Sequence, residues 1–73
     1  MIVNGKIIAF QEGMTIEDLL IILNLNSNKV VVELDKEIIL KEDFSKTFLK
    51  ESSKLEIISF VGGGWKWRFI LMK

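Results

Sequence analysis

Short apolar runs separated by turn residues, with one stretch of helical period among them, outline this 73-residue chain. Met1-Ile2-Val3 and Lys6-Ile7-Ile8-Ala9-Phe10 flank Asn4-Gly5, two residues that tolerate positive φ, so an antiparallel hairpin is predicted. Gly13 then breaks the chain before a marked helix start. Thr15 can cap, Asp18 stands three residues on as a short form of the capping box, and Met14 can staple onto Leu19. Ile16, Leu19, Leu20 and Leu23 fall at i, i+3, i+4 and i+7, one buried stripe, and Glu17 and Asp18 suit the positive end of the helix dipole. The Asn/Ser cluster from Asn24 to Asn28 should end the helix.

Beyond it, Val30 to Leu34 reads as a strand with Val30, Val32 and Leu34 on one face and Val31 and Glu33 on the other. Asp35-Lys36 can turn it back into a short strand, Glu37 to Leu40. The charged segment 41–53 carries Phe44, Phe48 and Leu49, which predicts a loop with a helical turn pinned by its aromatics. Lys54 to Val61 closes the body as a last strand. Leu55, Ile57, Ser59 and Val61 should point inward, and Glu56, Ile58 and Phe60 outward. One helix among five short strands, with right-handed crossovers, leaves few topologies. The expectation is an α+β domain of the β-grasp, or ubiquitin-like, type: a mixed sheet of four to five strands with the one main helix packed on one face. No second helix covers the other face, so Ile58 and Phe60 should stay partly exposed there.

Composition narrows the chemistry. An apolar fraction of 49% supplies a core for one small domain. The 10 basic and 10 acidic residues are unevenly placed: Lys66, Arg68 and Lys73 leave seven basic against ten acidic residues in 1–64, so the body is −3 and the tail +3. An acidic body argues against nucleic acid as its partner. Cysteine and histidine are both absent, which removes disulfides, the common nucleophile–base pairs and most transition-metal sites. No apolar run spans a membrane and no signal peptide opens the chain, so a soluble, cytoplasmic protein is expected. The carboxylate pairs Glu17-Asp18 and Glu42-Asp43 read as capping or solvated groups.

Three consecutive glycines, Gly62-Gly63-Gly64, follow the last strand and mark where the globular body (1–64) gives way to a thread. They are not a phosphate loop, because the spacing to Lys66 is wrong and no Ser or Thr follows. In the extension 65–73, Trp65, Trp67 and Phe69 alternate with Lys66, Arg68 and Ile70, a period-2 pattern that suits a strand. Such a strand can fold back onto the body and bury its rings. Dimerisation through strand pairing of the tail is a second expectation.

At these residues the chain resembles a known family. Val3-Asn4-Gly5-Lys6, Thr15-Ile16-Glu17-Asp18-Leu19-Leu20, Val30-Val31-Val32-Glu33, Lys36-Glu37-Ile38-Ile39 and Phe60-Val61-Gly62-Gly63-Gly64 occur in the order and spacing of the ThiS sulfur carriers of thiamine biosynthesis. These carriers are relatives of the MoaD carriers of molybdopterin synthesis. The resemblance covers residues 1–64 and implies a carrier without catalysis, cofactor or metal of its own. In such proteins an E1-like enzyme uses ATP to adenylate the terminal glycine carboxylate. Conversion to a thiocarboxylate follows, and this delivers sulfur to thiazole formation. Carried over, Gly64 is the adenylation and thiocarboxylate position, Gly62 and Gly63 are the thread, and Ile58, Phe60 and Val61 form the partner-binding surface. The implied partners are an E1-like adenylating enzyme and thiazole synthase. Family members end at their glycines, whereas here Gly64 is bonded to Trp65. Three fates of residues 65–73 stay open: removal by a protease, a permanent strand or arm on a non-carrier interaction module, or a segment foreign to the natural chain.

Overall fold

The computed structural model describes the backbone of residues 1–60 and 67–69 and the side chains of residues 1–59. Strands β1 (Ile2–Val3) and β2 (Lys6–Ile7) form the expected hairpin, shorter than the apolar runs that predict it. Asn4 (φ 50) and Gly5 (φ 81) are both left-handed, as a two-residue turn that continues the sheet twist requires. Helix α1 (Ile16–Ile22) follows, then β3 (Val30–Leu34), β4 (Glu37–Ile39), β5 (Lys54–Phe60) and β6 (Trp67–Phe69). The sheet order is β2-β1-β5-β3-β4, with β6 paired to β5. β5 runs parallel to β1 and antiparallel to β3, so it sits at the centre of a mixed sheet. β3, the strand after the helix, therefore runs in the direction of β2. The parallel pair joined by hydrogen bonds is β1 with β5.

Helix α1 starts where the sequence places it. The Thr15 hydroxyl accepts from the Asp18 amide (3.2 Å) and the Asp18 carboxylate accepts from the Thr15 amide (3.0 Å). The next two amides of the first turn go to the loop that precedes β5: Ile16 N–H to the Thr47 carbonyl (3.1 Å) and Glu17 N–H to the Phe44 carbonyl (3.2 Å). The orphan donors of the helix start thus hold that loop in place. At the other end the helix stops at Leu23, slightly before the Asn/Ser cluster. Asn24 turns left-handed (φ 58), its amide donates to the Ile21 carbonyl and the Leu25 amide to the Leu20 carbonyl. This is the paired bonding of a Schellman stop.

Ile16, Leu19 and Leu20 bury against Val3, Val30, Val32, Leu55 and Ile57, with Met1, Met14, Phe44 and Leu49 closing the core. Leu23 is half-buried at the rim of the stripe. Loop 41–53 departs from expectation in one residue. Phe44 and Leu49 are buried and pin it, but Phe48 is 64% exposed. The reason lies in the backbone: the Leu49 amide bonds the Met14 carbonyl and the Thr47 carbonyl takes the Ile16 amide, which turns the residue between them outward. A short 3₁₀ turn, Lys41–Asp43, supplies the expected helical turn.

On β5, Leu55 and Ile57 are fully buried as predicted, while Ser59 is only half-buried. Val61, expected as the next inward residue, lies outside the described residues. Among the described residues no helix is long and apolar enough to cross a membrane.

Candidate functional site

The sequence-predicted site lies at the C-terminal end of β5, and the surroundings of that strand decide what it can present. One edge of β5 is taken by β3 from Leu55 to Ser59, with Cα partners Leu34↔Leu55 to Val30↔Ser59. The other edge is shared among three occupants. β1 covers Lys54 and Leu55, and the Asn4 amide bonds the Leu55 carbonyl at 2.9 Å. Beyond the end of β1, the Asn4 side chain takes over. Its Oδ1 accepts from the Ile57 amide at 2.7 Å and its Nδ2 donates to the Ile57 carbonyl at 3.1 Å. A side-chain amide thereby stands in for one more residue of β1. Two residues on, β6 pairs antiparallel with Ile58↔Phe69, Ser59↔Arg68 and Phe60↔Trp67 as Cα partners.

Ile58 faces the sheet side opposite α1, opposite Val31, and both are half-buried. Ile2 and Ile7, themselves cross-strand partners, and Ile38 lie on the same side and are exposed, Ile7 by 87%. Among the described residues this face is thus apolar at several positions besides Ile58, whereas the sequence singled out the pair Ile58 and Phe60; the side chain of Phe60 lies outside those described. The backbone of Phe60 ends β5. Val61, Gly62, Gly63 and Gly64 lie outside the described residues, so the glycine site itself is given by sequence alone.

Other clefts carry little chemistry. One of about 360 Å³ is lined by Glu33, Asp35, Lys36, Lys54 and Glu56, where β5 begins and β3 turns into β4. A groove of about 340 Å³ beside the helix start contains Asp18, whose carboxylate is already committed to the cap. Among the described residues no cluster of acidic side chains could hold a metal ion. Asn4 is the residue that sequence reading assigned only half its role. Asn-Gly signals the turn, but the strand that its side chain clamps lies 53 positions away.

The order of strands and the one α-helix among the described residues define a β-grasp domain of the ubiquitin-like class, and in the sequence a run of glycines follows its central strand. The ThiS family model matches residues 1–64, ending on Gly64, and the chain belongs to that family. It is 42% identical over 62 residues to the sulfur carrier protein ThiS of Bacillus subtilis, a match spanning 84% of this chain and 94% of that one. It is 39% identical over 64 residues to a thiazole synthase of Paramagnetospirillum magneticum, covering 88% of this chain but only 20% of that longer protein. The crystal structure of a thiamine biosynthesis protein (ThiS) from Geobacter metallireducens superposes with a TM-score of 0.67 at 33% identity, covering 86% of this chain and 96% of that one.

Proposed function

We propose that this chain is a cytoplasmic sulfur carrier for thiamine biosynthesis, acting as the form that ends at Gly64. The observation that carries the reading is positional. A central strand paired on both edges ends at Phe60, Val61-Gly62-Gly63-Gly64 come next in the sequence, and the family match ends at Gly64. Three residues without side chains can enter a channel too narrow for a side chain, which suits a terminus worked on inside another protein.

The chemistry requires a free carboxylate at Gly64. One of its oxygens attacks the α-phosphorus of ATP in an E1-like partner, pyrophosphate leaves, and a sulfur donor then displaces AMP to form the thiocarboxylate. Thiazole synthase is the proposed recipient. The carrier-like segment inside the Paramagnetospirillum thiazole synthase supports that pairing. Ile58, Phe60 and Val61, next to the thread, are the proposed contact surface for the partners.

A second reading, a non-carrier interaction module with a permanent arm, draws on the pairing of β6 with β5. Mass spectrometry separates the two. The full chain and a chain ending at Gly64 are each incubated with a ThiS-adenylating enzyme, ATP and a sulfide source. The carrier reading expects the shorter chain alone to gain the mass difference between sulfur and oxygen. No gain in either chain would sink it.

A further inference from the structure

The shared edge of β5 has a consequence for the tail. Backbone groups of alternate strand residues point to the same edge. Ile57 turns its N–H and C=O toward Asn4, so Ser59 turns its own pair toward the same edge, where Arg68 is its Cα partner. β1 and Asn4 together satisfy that edge as far as Ile57. Beyond Ile57 it is a strand-accepting edge, and a central strand with one open stretch is a ready template for another strand.

We propose that residues 58–60 of β5 form a strand-docking site and that its resident occupant is the chain's own segment Trp67–Phe69. The tail is an internal competitor that keeps this edge from an extended segment of any partner. Two observations favour this occupant. β6 is seated there in register, with Ser59↔Arg68 as the central pair. Its charge is also complementary: Lys66, Arg68 and Lys73 give the tail +3 against −3 for residues 1–64. Deepening the carrier reading, on which this last step rests, removal of residues 65–73 would do two things at once. It would free the Gly64 carboxylate and open the edge leading to it.

The test needs no partner protein. The buried core residues among the described side chains lie within residues 1–57, and a chain ending at Gly64 keeps every one of them. Amide hydrogen exchange is followed at Ser59 and Ile57 in the full chain, in full-length Arg68→Pro and in the chain ending at Gly64. Proline at 68 removes the N–H that faces the Ser59 carbonyl. Ser59 should exchange at least about tenfold faster in both altered chains, while Ile57, held by Asn4, stays slow. A synthetic peptide of residues 65–73 added to the chain ending at Gly64 should restore slow exchange at Ser59. Equal Ser59 rates in all three chains, or no protection by the peptide, would overturn the proposal. If Arg68→Pro disturbs Ile57 as well, the truncated chain with and without peptide decides. Adenylation of the truncated chain, measured alongside, reports on the carrier reading alone, since exchange at Ser59 does not depend on it.

Discussion

Asn4 carries two tasks that substitution can separate. Its backbone is left-handed at φ 50, and its side chain makes both hydrogen bonds to Ile57 at 2.7 and 3.1 Å. Asn4→Gly keeps the first task, because glycine adopts positive φ without strain, and removes the second. Two hydrogen bonds at a net 0.5–1.5 kcal/mol each put the loss at about 1–3 kcal/mol. At roughly 4–8 °C per kcal/mol for a domain of this size, the melting temperature should fall by several degrees at least. Asn4→Asp adds a sign that glycine cannot give. The carboxylate still accepts from the Ile57 amide but sets a second oxygen against the Ile57 carbonyl, where Nδ2 donates in the native residue. Protonation turns that oxygen back into a donor, so the folded chain holds the proton above the unfolded value of about 3.9. Stability contributed by the protonated form is complete below the unfolded value and is lost as pH rises through the folded one. The deficit of Asn4→Asp relative to the native chain should therefore widen from acid to neutral pH. Thermal melts by circular dichroism at both ends of that range measure it. An Asn4→Gly chain melting within about 2 °C of the native one would refute the clamp as a stabilising feature.

Two further predictions concern the same sheet and its loop. The β3–β4 turn carries Asp35 and Lys36 at φ 49 and 73, and a non-glycine residue there is strained by about 1–2 kcal/mol; Lys36→Gly should raise the melting temperature, and a fall would show that Lys36 has a stabilising contact that outweighs the strain. Phe44→Ala should cost about 3–5 kcal/mol by opening the core, whereas Phe48→Ser, at a 64% exposed position, should stay within about 0.5 kcal/mol; urea denaturation of both variants distinguishes them, and similar costs would contradict the burial assignment.

The fold was legible because its signals are local. Asn4-Gly5, the Thr15–Asp18 box and the Ile16, Leu19, Leu20 stripe each act within a few residues, and each forms as its spacing predicts. Phe48 was misread for the opposite reason. Its exposure follows from Leu49 and Thr47 bonding to Met14 and Ile16, contacts that no window around residue 48 contains. The candidate site divides in the same way. Gly62-Gly63-Gly64 is visible in the sequence at once, and so is the alternation of Trp67, Arg68 and Phe69. Which edge receives that alternating segment is not.

What the sequence determined by itself is the set of elements, the buried faces of α1, β3 and β5, and the run of glycines that follows β5 in the chain, because periodicity, capping and turn chemistry are short-range. The tertiary structure alone decided how β5 is shared. β1 covers its start, the Asn4 side chain its middle and β6 its end, with β3 along the opposite edge. Backbone hydrogen bonds between strands carry little information about side-chain identity, and Asn4 meets Ile57 across 53 positions of sequence, so short-range pattern does not assign how this edge is divided.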